Sequence, residues 1–302
     1  MRIEHDRGLS KLLRSPEEQL LAGGFTFTEG PIWIKEDNCL LFSDIPNNRI
    51  HRWRPGGGAV EIYREPSGNS NGLTLDHQSR LLACEHSGRR VSRSADNGPA
   101  ETVVDRFEGK KLNSPNDVVV HSSGRLYFTD PNYGLRGNVA VAPDHDPNPV
   151  QELAFLGVYR VDPDGTISLL IDDMVGPNGL ALSPDESVLY VGDSRAKIIR
   201  RYQVADDGSL HDEVLFADQR DDARFGAPDG MKVDEEGRLW TTGAGGVSVY
   251  TPNGDKLGDF EMAEHAANIA FGGADFTTLF LTARTSLYSV ETAVRGIAPG
   301  SR

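Results

Sequence analysis

Glu29, Asn116, Asn178 and Asp229 each open a short apolar run, in E-G-P-I-W, N-D-V-V-V, N-G-L-A-L and D-G-M-K-V. Carboxylate and amide oxygens are hard donors. Four of them with two formal negative charges suit one divalent cation, most naturally Ca2+, with water completing roughly six to eight ligands. Mg2+, Mn2+ and Zn2+ are the alternatives, although the eight histidines are scattered and none pairs as H-x-x-x-H, the spacing of a zinc site. Asn, Asp and Gly also open strands for backbone reasons, because Asx side chains satisfy turn amides. Glu29 in the same slot resists that explanation, since Glu is a poor turn former.

The slot belongs to a repeat that must position it. N-G-L-T-L from Asn71 and N-I-A-F-G from Asn268 raise the copies to six, starting 42, 45, 62, 51 and 39 residues apart. That period suits a four-stranded propeller blade. Each copy runs through a polar turn into a second apolar run ending at Asp44, Glu85, Asp130, Asp193, Gly243 or Thr282. An antiparallel hairpin sets the start of its first strand beside the end of its second, so both positions are expected at one edge. Six such edges about an axis would form a ring of carboxylates and amides. Outer strands are read in R-I-H-R-W from Arg49, G-V-Y-R-V from Gly157 and I-I-R-R-Y from Ile198, where alternation and β-branching favour strand. The expectation is an all-β, six-bladed β-propeller with a central metal site, one domain over residues 23–302. Residues 1–22 are expected to be an N-terminal arm or short helix, from L-S-K-L-L-R-S-P-E-E-Q-L-L.

Composition narrows the partners. The net charge of −14 offers no basic field for phosphate backbones, so nucleic acid is not expected. No apolar run approaches the roughly 20 residues that span a bilayer, and the first residues lack an apolar leader. A cytoplasmic location is therefore expected, a periplasmic one only if a leader precedes this sequence. Cys39 and Cys84 fall in second-strand runs and read as small buried hydrophobes, without a disulfide framework. Oligomeric state is open.

The G-x-S-x-G match at Gly68, Ser70 and Gly72 needs a strand–turn–helix elbow to carry a nucleophile. Here it runs into the strand phrase N-G-L-T-L. The long third interval places a Pro/Gly/Asp-rich excursion after Asp130, expected as a rim loop or lid. Tyr133, Arg136 and His145 could touch a substrate from it. Trp33, Trp53 and Trp240 lie on strands and are expected in packing between blades. His86, His121 and His265 read as surface or core histidines, with His265 nearest a ring position.

F-x-F-x-E-G-P-x-W around Glu29, S-P-N-D-V-V-V from Ser114, L-Y-F-T-D-P-N-Y-G to Gly134, G-P-N-G-L-A-L-S-P-D from Gly176 and P-D-G-M-K-V-D from Pro228 closely resemble the SMP-30/gluconolactonase family. The similarity spans about residue 20 to the C-terminus. It implies a divalent metal in the channel and hydrolysis of small sugar lactones. Metal ligands map onto Glu29, Asn178 and Asp229, with Asn116 as a further ligand or substrate contact, and the proton-transfer residue maps onto Asp229. Ser114 stands where the animal regucalcin branch has arginine, so the chain looks more like the bacterial and plant gluconolactonase branch. Asn116, Asp130, Tyr133, Asp193 and His145 are the expected substrate contacts. Two alternatives stay open: a calcium-dependent phosphotriesterase of the diisopropylfluorophosphatase type, and a non-enzymatic calcium-binding interaction propeller.

Overall fold

The structure is a computed structural model that describes residues 1–95, 98–135 and 149–300. Six antiparallel sheets follow one another along the chain. Blade one is Thr28–Ile34, Cys39–Asp44, Arg49–Trp53 and Glu61–Arg64. Blade two is Ser70–Leu75, Leu81–Glu85, Arg90–Ser94 and Glu101–Val104. Blade three is Val118–Val120, Leu126–Asp130, Leu156–Val161 and Ile167–Met174. Blade four is Pro177–Leu182, Val188–Asp193, Ile198–Val204 and Leu210–Asp218. Blade five is Met231–Val233, Leu239–Gly243, Gly246–Tyr250 and Lys256–Glu261. Blade six is Asn268–Gly272, Thr278–Ala283 and Ser286–Thr292. The innermost strands touch in sequence from blade one to blade six, and the sixth touches the first, closing a β-propeller.

Closure uses the N-terminal segment, expected as an arm or short helix, and of the two it is an arm that pairs as strand. Leu13–Gly23 is an eleven-residue strand paired outermost on Ser286–Thr292, with Glu18 opposite Val290 and Leu20 opposite Tyr288. Only Leu9–Leu12 turns as a 3-10 helix. Pro16 explains the difference, because it would break a helix ladder. On a sheet edge it is tolerated, in the stretch where the pairing register shifts between Leu13 and Glu18. Arg2–Glu4 adds a further strand to blade five, so the first residues tie onto the last two blades. No helix among the described residues is long and apolar enough to cross a membrane.

The blades pack through their aromatic residues. Trp33 of blade one stacks on Phe280 of blade six at 5.2 Å, with Trp53 also against Phe280. Trp240 of blade five meets the edge of Phe271 at 5.7 Å. Cys39 and Cys84 are buried free thiols, as expected of small core residues.

Close approach at the axis accounts for the glycine that follows four of the six ring residues, Glu29, Asn71, Asn178 and Asp229. A Cβ on Gly30 would lie 2.0 Å from the Asn71 carbonyl oxygen, and one on Gly179 2.0 Å from that of Asp229. One on Gly230 would fall 2.0 Å from the Asn268 side chain. Gly72 and Gly230 use their N–H groups to reach across blades, donating to the Asn116 carbonyl at 2.8 Å and the Ala267 carbonyl at 2.9 Å. The repeated E-G, N-G and D-G pairs thus place one polar side chain at the axis and leave no side chain where the next blade must pass.

Candidate active site

A cavity of about 790 Å³ opens at the end of the channel where the innermost strands begin. Glu29, Asn71, Asn116, Asn178 and Asp229 line it, so five of the six repeated slots converge. The sixth, Asn268, supports from beside: its amide nitrogen donates to Glu29 Oε2 at 2.9 Å while its oxygen accepts from the Ile269 N–H. The Gly30 N–H also reaches Glu29 Oε2, at 2.9 Å. Both bonds fall on one carboxylate oxygen, leaving Oε1 for a ligand. Asn178 donates its amide nitrogen to Ser194 Oγ at 2.9 Å, and Ser194 donates onward to the Pro228 carbonyl at 2.6 Å. The nitrogen being committed, the Asn178 oxygen is the atom left for the cavity.

Electrostatics favour a cation. Burial pushes the Glu29 carboxyl up to about 7, against the pull of Asn268 and Gly30, with the nearby charge of Asp117 adding to the rise. Asp229 faces the cavity but lies deep, and burial followed by the charges of Glu29 and Asp117 hold it well above the usual carboxylate range. Asp117 is raised by burial too, relieved by Lys232, and its Oδ2 has no partner among the described residues. Three carboxylates therefore crowd the axis with one lysine near them, and a divalent cation would offset that repulsion. No three His, Cys, Asp or Glu side chains converge as a metal cluster among the described residues. Any site here depends on two carboxylates together with amide oxygens, a donor set that fits a hard cation.

The second-strand ends are corrected. Asp130 and Asp193 do not line the cavity. Each binds the segment that enters its own blade. Asp130 Oδ2 accepts from the Asn113 N–H at 2.7 Å. Asp193 accepts from the N–H groups of Val175, Arg195 and Ala196, and Asp44 from those of Thr26 and Phe27. For Asp44 and Asp193, a register shift at the start of the inner hairpin is the reason. It falls between Glu29 and Ile32, Ser70 and Leu73, and Pro177 and Leu180. One residue of slip exchanges the faces of a strand. The cavity wall is instead built by the following residues Ile45, His86 and Ser194. They lie one place beyond the acidic end points of copies one, two and four.

Asp130 is wholly buried, and that burial pushes its carboxyl up to about 7 against the backbone donors Asn113 and Ser114. A raised carboxyl means the folded chain holds the extra proton between about pH 4, the ordinary aspartate value, and pH 7. This contribution to stability therefore declines as pH rises through that window. Asp130→Asn keeps an acceptor for Asn113 and removes the ionisation. Its thermal midpoint is expected to gain on wild type as pH rises from 5 to 8, which calorimetry across that range would check.

Tyr133 reaches the cavity from the short turn Tyr133–Leu135. Its hydroxyl donates to the Gly176 carbonyl at 3.1 Å, and Arg195 lies 4.9 Å from its ring centroid. Burial pushes the phenol up to about 12, so it remains a donor. His145 and Arg136, with the centre of the expected lid, lie outside the described residues. His265 lines the mouth edge-on to Phe225 at 4.8 Å. Ser70 is buried, 2.9 Å from Ser43 Oγ, and opens a strand, so the G-x-S-x-G match is no nucleophile elbow. Asn71 lines the cavity as its place in the repeat implied, whereas His86, Ser194, Arg195 and Arg284 are cavity residues that the sequence did not single out.

Residues 27–285 match the SMP-30/Gluconolactonase/LRE-like region. The chain is 34% identical to the gluconolactonase of Zymomonas mobilis, over 92% of this chain and 82% of that protein. It is 29% identical to the pentonolactonase of Haloferax volcanii, over 84% and 80% of the two chains. Among solved structures, the gluconolactonase from Xanthomonas campestris superposes with a TM-score of 0.84 at 37% identity, covering 96% of this chain and 94% of that one.

Proposed function

The chain belongs to the SMP-30/Gluconolactonase/LRE-like family, and from that premise we propose that it is a lactonase opening a sugar lactone to its aldonic acid, assisted by one divalent cation. The observation that carries the reading is the convergence of Glu29, Asn116, Asn178 and Asp229 on one cavity. The gluconolactonase and pentonolactonase relatives support the substrate class. Glu29, Asn178 and Asp229 would hold the cation, with Asn116 as a fourth donor or as a contact to the lactone. Ca2+ is the ion whose preference for oxygen ligands this set matches best. When bound, the cation supplies Lewis-acid polarisation of the ester carbonyl.

The residues of the chain do the rest. Asp229 accepts the proton of the water that attacks the carbonyl carbon. It returns that proton to the ring oxygen as the carbon–oxygen bond breaks, so carboxylic acid and hydroxyl leave in one open-chain product. Gly30 and Asn268 hold Glu29, and Ser194 holds Asn178, so the donors keep their places while charge develops. Tyr133 and Arg195 wall the cavity beside Asn178.

The test is a pH-indicator assay on D-glucono-δ-lactone and pentonolactones, with chelator followed by Ca2+, Mg2+, Mn2+ and Zn2+ in turn. Hydrolysis is expected, with chelator abolishing it and re-added metal restoring it. Full activity in chelator would reject the cation, and no activity with any lactone and any metal would reject the lactonase reading.

A further inference from the structure

Two polar side chains in the cavity wall have unmet hydrogen-bonding capacity of opposite kinds. Asn71 and His86, from the two ends of the inner hairpin of blade two, both line the cavity and are only 4% exposed each. They touch through Asn71 Nδ2 and His86 Nε2 at 3.4 Å. An amide nitrogen can only donate, so Nε2 accepts and the ring proton of the neutral imidazole sits on Nδ1. Burial keeps the ring neutral, pushing its pKa down to about 4. Asn71 Oδ1 and His86 Nδ1 are then left as one acceptor and one donor, both buried and without a partner among the described residues. Exchanging the oxygen and nitrogen of the amide exchanges the two roles and still leaves one of each.

The backbone that carries both side chains is held from three sides. Gly72 follows Asn71 where a Cβ would lie 2.6 Å from the Asn116 carbonyl oxygen, so the strand is clamped against blade three. A Cβ on Gly134 would fall 2.7 Å from His86 Cβ, so the turn carrying Tyr133 presses on the imidazole. Glu85, just before His86, is anchored by Arg90 at 2.7 Å. A buried unmet donor and acceptor are costly in the empty protein. A polyhydroxylated ligand can answer both, since each hydroxyl donates one hydrogen bond and accepts another.

We infer that Asn71 and His86 form a hydroxyl-recognition site that selects polyhydroxylated lactones over unsubstituted ones. The inference deepens the lactonase reading and rests on it for the identity of the ligand. The pair does no chemistry on the ester. It binds a ring hydroxyl while the ester lies over Glu29 and Asp229. A site built for a hydroxyl loses most with a ligand that lacks one, because its own polar groups then stay unmet.

The experiment compares D-glucono-δ-lactone with δ-valerolactone, which has the same ring and no hydroxyls, in wild type, Asn71→Ala and His86→Phe. Binding of 1,5-anhydro-D-glucitol, a cyclic polyol without the ester, is measured by calorimetry alongside. Losing the site is expected to lower kcat/KM on the sugar lactone by about tenfold to a hundredfold in either variant. The unsubstituted lactone should change by less than about threefold, and polyol binding should weaken in step with the sugar lactone. His86→Gln, which keeps an amide donor and acceptor, should retain most of the preference, and it replaces His86→Phe if that protein does not fold. Equal losses on both lactones, or unchanged polyol binding in both variants, would overturn the inference. Failure of wild type to open either lactone would count against the lactonase reading alone, since polyol binding lost in the variants would still uphold the hydroxyl site.

Discussion

Asp229→Asn is expected to lower kcat by at least about 10²-fold, the usual effect of losing a general base, even with divalent metal in large excess. Asparagine keeps an oxygen of the same reach, so the donor count survives while basicity and one charge are lost. Two influences on Asp229 oppose each other. Burial and the charges of Glu29 and Asp117 raise its carboxyl, which makes it a better proton acceptor. A bound cation lowers it again. The outcome is a carboxylate of intermediate basicity, adequate for an activated ester. The measurement is kcat as a function of metal concentration. A plateau far below wild type supports the dual role. Recovery of the wild-type kcat at high metal would make Asp229 a ligand only and leave the base to be found elsewhere.

Glu29→Gln should act with opposite signs with and without metal. One of the two ligand charges disappears, so metal affinity should fall by at least about 10²-fold, within the range that ligand charge spans in calcium sites. Calorimetric titration reads this directly. The metal-free protein should behave otherwise. The Glu29 carboxyl stands at about 7 against an ordinary 4.5, so the folded chain binds the extra proton between those values. Its stability therefore declines as pH rises through that window. Glutamine removes the penalty and can still meet the donors Asn268 and Gly30 through its oxygen. At pH 8 the metal-free variant is expected to melt above metal-free wild type, whereas saturating metal should raise the melting temperature of wild type far more. A variant that melts lower in both conditions would show that Glu29 serves packing more than metal.

Much of this was legible in the chain. Six copies of one phrase dictate six blades, because a hairpin with one apolar face cannot bury it alone and stacking repeats can. The positions of Glu29, Asn116, Asn178 and Asp229 within the copies predict that they meet, since equivalent residues of equivalent blades lie at equal distances from the axis. Trp33 and Trp240 on inner strands announce the packing between blades. Tyr133 was legible from its place just beyond the ring face.

Other features required tertiary structure. Whether residues 13–23 form a helix or a strand depends on the open edge of blade six, a partner more than 260 residues away that local propensity does not see. The register slip that turns Asp193 away from the cavity and Ser194 and His86 toward it is a bulge of the inner hairpin. Bulges accompany the crowding of neighbouring blades at the axis, where Gly30, Gly72 and Gly179 have no room for a Cβ. Asp117 shows the same limit. Beside Asn116 it reads as one more polar residue, and only closure of the ring brings it against Glu29 and Asp229. Sequence determined the residue types at the axis, because those recur within each copy. The direction in which a side chain points, and the charges it meets there, arise between copies and were decided by closure of the ring.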